Sequence, residues 1–216
     1  MKIIVGMATF KGRENSVKEA VNSLSGQVDE IILYDNELNP NLTDNGKFYG
    51  LNILKEPCYY LSCDDDLIYP HDYAQTMIEA IERTKGIVTH HGRILLGERD
   101  SYYRGGHKTF RCLDYNGSEC KIDVAGTGVS GWRTDYFDCK ELAFEKYQKM
   151  SDIIFSREAA IQGKKITVLK HKQGWIKHTD IDLSQTIHAT ESRREETQTK
   201  LANEIWRLNY QSEQKI

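Results

Sequence analysis

The first third of the chain alternates short apolar runs with a longer amphipathic one. Residues 2–8 make an apolar run of strand length, and residues 14–24 place Val17, Ala20, Val21 and Leu24 at helical spacing. Residues 30–34 (Glu30-Ile31-Ile32-Leu33-Tyr34) form a second apolar strand that ends at Asp35. This order predicts a β-α-β unit, two parallel strands joined by a right-handed crossover. Residues 36–46 are rich in Asn, Asp, Pro and Gly and read as a loop, with a short helix over 46–52. Cys58-Tyr59-Tyr60-Leu61-Ser62 reads as a third strand that runs straight into Asp64-Asp65-Asp66. Pro70 precedes a helix over 71–83 with Tyr73, Met77, Ala80 and Ile81 facing inward, and residues 86–91 follow as a strand.

The second half is less regular. Residues 107–125 predict a β-hairpin turning at Asn116-Gly117, with Leu113 paired to Cys120. Residues 151–162 predict a helix closed by Gly163, and Ile166 to Leu169 a last strand. A charged helix over about 190–210 carries Leu201, Ile205 and Leu208 on one face, a stripe suited to a dimer partner or to the chain's own domain, so the oligomeric state stays open. There are no internal repeats. The pattern is that of an α/β protein whose parallel half is followed by a mixed half.

Composition narrows this only a little. A chain of 216 residues suits one domain and buries roughly 70% of its unfolded surface without staples. A net charge of −3 excludes a strongly basic, non-specific nucleic-acid binder, although a local basic groove stays open. The apolar N-terminal run is too short for a signal peptide, and no window approaches the roughly 18 apolar residues of a membrane span. The five cysteines are odd in number and none are spaced as CxxC, which predicts free thiols and a reducing, cytoplasmic location.

The chemistry gathers at strand ends. Open α/β sheets bind ligands beyond the carboxyl ends of their strands. Here the first strand ends at Thr9-Phe10-Lys11-Gly12-Arg13 before a helix N-terminus, the second at Asp35-Asn36 and the third at Asp64-Asp65-Asp66. Three adjacent carboxylates repel one another. A hard divalent cation held with substrate phosphates relieves that repulsion. A solvated acidic turn, or a charged helix start, is the alternative. The position after an apolar strand, four residues before Pro70, favours the cation.

These segments resemble the family-2 glycosyltransferases of the A-type nucleotide-diphospho-sugar fold. The resemblance rests on Thr9-Phe10-Lys11-Gly12-Arg13-Glu14, Tyr34-Asp35-Asn36, the run from Tyr60 through the three aspartates to Pro70, Gly126-Thr127-Gly128 and Ser151-Asp152. It covers about residues 2–170. It implies a single Rossmann-like domain over 1–190, with a mostly parallel central sheet and a hairpin insertion. Residues 1–92 would be the nucleotide-sugar half and 93–190 the acceptor half, followed by a C-terminal helix over 191–216.

The resemblance also implies roles. Thr9, Phe10 and Arg13 line the nucleotide pocket, Asp35 and Asn36 meet the base or ribose, and Asp64 and Asp65 contact the donor. Asp66 holds Mn2+ or Mg2+, and Asp152 deprotonates the acceptor hydroxyl in an inverting displacement. The implied activity is that of a hexosyltransferase, with UDP-hexose as donor. A sugar-nucleotide nucleotidyltransferase and a non-catalytic nucleotide-sugar-binding domain are the competing readings. Family members often carry Glu-Asp where Ser151-Asp152 stands, and Asp152 is also readable as an ordinary helix-start carboxylate. The Gln-x-x-Arg-Trp pattern of processive synthases is absent, which favours transfer of one sugar. The acceptor, whether a saccharide, a lipid-linked sugar, a protein or a modified nucleic-acid base, is not readable.

Several residues remain as candidates. Lys47, at the start of a short helix, suits a diphosphate or a capped surface helix. The resemblance implies a histidine after the last strand as a further metal ligand, His178 first and His171 second. Trp132 and Trp175 lie beside glycines in predicted loops and suit either a sugar platform on the acceptor side or core packing. His90-His91 read as structural. Residues 176–190 suit a lid, and Arg193-Arg194 a solvated helix face.

Overall fold

The computed structural model describes residues 1–39, 42–143, 148–180 and 195–213. The lid expected over 176–190 lies outside the described residues from 181 onward, and Arg193-Arg194 lies outside them altogether.

The β-α-β reading holds at both strands and at the helix. Strand β1 (Ile3–Thr9) pairs in parallel with β2 (Glu30–Asp35), and helix α1 (Glu14–Leu24) joins them. The short helix expected over 46–52 forms as a 3-10 helix over Thr43–Asn52. Strand β3 (Tyr59–Asp64) pairs in parallel with the other side of β1, and β4 (Leu67–Ile68) follows after the aspartates. Helix α2 (Tyr73–Thr84) buries Tyr73, Met77, Ala80 and Ile81, the face its spacing predicts. Then come β5 (Ile87–Thr89), β6 (Gly92–Leu95), β7 (His107–Phe110), β8 (Cys120–Ile122), β9 (Val124–Ala125) and β10 (Val129–Arg133). Helix α3 (Ser151–Ile161) ends at Gly163, whose φ of 64° supplies the left-handed turn. Strands β11 (Ile166–Val168) and β12 (Lys177–His178) and helix α4 (Glu195–Glu213) complete the described chain.

The central sheet has the order β2-β1-β3-β10-β5-β11-β8. Strands β2, β1, β3, β5 and β11 run one way, and β10 and β8 run the other. The result is a mixed α/β fold with a mostly parallel, Rossmann-like sheet. One core cluster is aromatic: Phe48, Tyr60, Trp132, Phe137 and Phe155 stack and tilt with ring centroids 5.0–6.4 Å apart. A second holds α1 and α2 against Val5, Met7, Leu61 and Cys63, and a small third joins Ala8, Tyr34 and Leu42.

Three expectations fail here. The hairpin over 107–125 does not form. Strand β7 pairs with β6, β8 pairs with β11, and Asn116 instead bridges to His171. Leu113 and Cys120 are therefore not partners, because the longer-range edges at β6 and β11 take the strands that a local turn would have joined. Trp132 is not in a loop: it lies on β10 and is fully buried among aromatic rings, so it cannot stack on a sugar. Ile166–Val168 is not the last strand, since β12 pairs antiparallel with β4. Of the two alternatives for the stripe on α4, the chain's own domain takes it at Leu201 and Ile205, which are buried in the core with α3 alongside. The five cysteines are free thiols, and no helix among the described residues is long and apolar enough to cross a membrane.

Candidate functional site

The carboxyl ends of β1 and β3 open into a cavity of about 290 Å³. Phe10 and Arg13 enter it from β1, Asp64, Asp65 and Asp66 from β3, Lys47 and Asp44 from the 3-10 helix, and Ser151 and Asp152 from the start of α3. Four distant stretches of sequence thus meet; of the three strand ends expected to converge, those of β1 and β3 line the cavity and that of β2 does not.

Hydrogen bonds fix the aspartates in different ways. Asp65 is 2% exposed. Its Oδ2 accepts from Thr9 Oγ1 at 2.8 Å and its Oδ1 from Arg13 Nη1 at 2.5 Å. The same Arg13 nitrogen donates to Asp66 Oδ2 at 3.2 Å. Lys47 Nζ donates to Asp64 Oδ1. Two protein cations thus relieve part of the repulsion that the sequence assigned to a metal alone. The relief is incomplete at Asp66. Burial, and then the charge of Asp64, push its carboxyl up to about 6 despite Arg13. Asp65 is raised too, by burial first, with Arg13 and Thr9 opposing. Burial alone would lower the Lys47 ammonium, but Asp64 and Asp44 outweigh it and hold its pKa above the ordinary lysine value.

Asp152 is held at one oxygen only. Its Oδ1 accepts from the Thr127 backbone N–H at 2.8 Å and from Thr127 Oγ1 at 2.7 Å, while Oδ2 accepts no bond from any described residue. Asp44 orients the helix that carries it. The Asp44 carboxylate accepts from the Lys149 and Ser151 backbone N–H groups at 2.6 and 3.0 Å, so the cap of α3 comes from a residue more than a hundred positions away.

Among the described residues, no group of three or more His, Cys, Asp or Glu side chains is arranged to hold a metal ion. Asp65 has both oxygens committed. Asp64 Oδ2 and Asp66 Oδ1 accept no bond from a described residue. Two hard oxygen donors of this kind suit a cation whose remaining ligands are phosphate oxygens and water, the usual arrangement for Mg2+.

No family model matches the chain, and no curated protein matches it. Among solved structures, the chain is similar to the crystal structure of A197 from STIV. They share 13% identity, the match covers 84% of this chain and 87% of that one, and the TM-score is 0.43. A likeness at that score assigns nothing to individual residues.

The other expected site residues are scattered. His178 lies beside the aspartates: on β12, its Nδ1 is 3.3 Å from the Asp66 carbonyl oxygen. His171 is not near them. It is buried with its Nδ1 3.3 Å from His90 Nδ1, and it lines a second cavity together with Trp175. Asp35 and Asn36 do not line the first cavity. Asp35 Oδ1 accepts from the Glu37 backbone, and Asn36 Nδ2 donates to the carbonyls of Thr9 and Thr43, tying the end of β2 to β1.

Sequence reasoning missed Arg93, Tyr102, Tyr103, Lys149 and Gln198, which also line the cavity. The Arg93 guanidinium stacks 4.5 Å from the Tyr102 ring centroid. Helix α4 props this corner: Thr199 Oγ1 accepts from the Tyr102 backbone N–H at 2.9 Å, and Asn203 bonds the Arg99 backbone in both directions. The only local signal was a Tyr-Tyr pair near two glycines, and nothing in the sequence ties it to the aspartates.

Proposed function

We propose that this chain is a metal-dependent, inverting glycosyltransferase that moves one hexose from a nucleotide-diphosphate sugar, UDP-hexose being the first choice, to an acceptor hydroxyl. The observation that carries this reading is the meeting, in one cavity, of Asp64–Asp66 at the end of β3, the cations Arg13 and Lys47, and Asp152 with one carboxylate oxygen uncommitted.

Each residue has a part. Thr9 and Arg13 lock Asp65 and so fix the turn that presents Asp64 and Asp66. Phe10 offers a ring face at the cavity wall. Asp152 Oδ2 takes the proton of the acceptor hydroxyl as its oxygen attacks the anomeric carbon. The bond from that carbon to the diphosphate oxygen breaks, the configuration inverts and the diphosphate leaves. Arg13 and Lys47 meet the charge that develops on it.

Five carboxylates and four cationic side chains line the cavity, so its lining is net negative before a diphosphate enters. That balance favours a divalent ion arriving with the donor. Mn2+ or Mg2+ would be held by Asp66 and Asp64 with the donor's phosphate oxygens, with His178 as the neighbouring histidine, and would offset charge on the leaving diphosphate.

The test is a hydrolysis screen across sugar nucleotides, followed by mass-shift detection on candidate acceptors. Asp152→Asn is expected to keep donor binding and to lose transfer by a factor of about 100 or more, the usual worth of a general base. Normal turnover in Asp152→Asn would remove the base assignment.

A further inference from the structure

A second cavity, of about 710 Å³, opens between the start of α2 and the chain that follows β11. It begins close to the first one. Ile68 of β4, two residues after Asp66, lines it, as does Lys177 of β12, the neighbour of His178.

Its chemistry differs from that of the first cavity. Lys170, Lys172 and Lys177 are all exposed and face a single carboxylate, Asp72. This is a locally positive groove on a chain of net charge −3. Besides the buried Tyr69, two aromatic side chains line it, Tyr115 and Trp175. Tyr115 is 72% exposed, which would be costly to hold in one pose without support. The support is Asn116. Its backbone N–H and C=O exchange hydrogen bonds with His171 at 3.0 and 2.9 Å, and its Nδ2 donates to the Leu169 carbonyl at 2.8 Å. Gly117 lets the phenol lie against the chain, because a Cβ there would stand 2.6 Å from the Tyr115 hydroxyl. Trp175 is anchored in turn by its indole N–H, which donates to Asp72 Oδ1 at 3.1 Å. Asp72 Oδ2 accepts no bond from a described residue. The Asn116-Gly117 pair, read from sequence as a hairpin turn, thus anchors the backbone beside an exposed ring near the lysines.

Held aromatic faces cover the C–H faces of sugar rings, a carboxylate oxygen accepts from sugar hydroxyls, and lysines attract fixed negative groups. We propose that this groove binds an anionic saccharide, one bearing carboxylate, sulfate or phosphate groups. The proposal that this saccharide is the sugar acceptor rests on the transferase reading; the binding does not.

The test is calorimetry on the full chain with hexagalacturonate, a heparin hexasaccharide and mannose 6-phosphate as the anionic probes, and maltohexaose and hexathymidylate as controls. At least one anionic saccharide is expected to bind more tightly than both controls. Tyr115→Ala is expected to weaken that binding about tenfold by removing the stacked ring. The Lys172→Ala, Lys177→Ala double variant should do the same and flatten the salt dependence. All of these variants should bind UDP as the parent does. Failure of all three anionic probes, equal binding of maltohexaose, tighter binding of hexathymidylate, or unchanged binding in both variants would overturn the proposal. Saccharide binding by a chain that ignores every nucleotide would keep the groove and remove the transferase.

Discussion

Lys47 and Asp64 form an unequal pair, with side-chain exposures of 6% and 39%. Losing the lysine leaves a carboxylate that water can reach, and Lys47→Met is expected to cost about 1 kcal/mol. Losing the aspartate leaves a buried ammonium with Asp44 and Asp152 as its remaining named charge partners, and Asp64→Asn should cost about 3 kcal/mol. Urea unfolding of both variants checks the order; a larger loss in Lys47→Met would contradict it. His90 shows burial acting on a group outside the site. Fully buried among Tyr73, Trp175 and His171, its imidazole is pushed down to about 3, by burial first and then by His171. The folded chain keeps it neutral, while the unfolded chain protonates it below about 6.5. Its contribution is therefore complete above that value and is lost as pH falls toward 3, at about 1.4 kcal/mol per pH unit. Denaturant midpoints for the parent and His90→Phe should diverge between pH 7 and 5, the variant losing less. Parallel curves would show that His90 does not set the slope.

At the level of elements, legibility followed the range of the pairing. Strands β1 to β3 and helices α1 to α3 carry their own periodicity, so their positions were readable within a few residues. Strand β10 was not. Its sequence Val129-Ser130-Gly131-Trp132-Arg133 has a glycine at the centre, which reads as a loop. The glycine is required by packing: a Cβ on Gly131 would lie 2.6 Å from Leu61 Cδ2 and 3.0 Å from Met77 Cε. Gly131→Ala is thus expected to cost about 1–3 kcal/mol by overpacking, read as a lower urea midpoint with an unchanged slope. A neutral result would mean that α2 can move away from β10. Trp132 followed from the same misreading, since a tryptophan beside a glycine looks like a loop platform until the antiparallel partner is known. Asn116-Gly117 failed for a related reason: Asn116 takes an extended bridge instead of a turn, because its hydrogen bonds go to residues 169–171.

Across the whole molecule, the sequence located the ends of β1 and β3 and the start of α3, and the fold brings these three together. It could not locate the wall built by Arg93, Tyr102 and Gln198, because that wall depends on α4 packing against α3 and bracing the 99–103 loop. Nor could it reveal that Arg13 and Lys47 share the task of neutralising the aspartates, since each reaches them from a separate element. Isothermal titration of UDP into the chain, with and without Mn2+, tests the central claim most directly. The account predicts binding that strengthens at least tenfold with Mn2+ in the parent and loses that gain in Asp66→Asn, a difference of about 1.4 kcal/mol or more. UDP and GDP that fail to bind under any metal condition, or a Mn2+ effect that survives in Asp66→Asn, would contradict it.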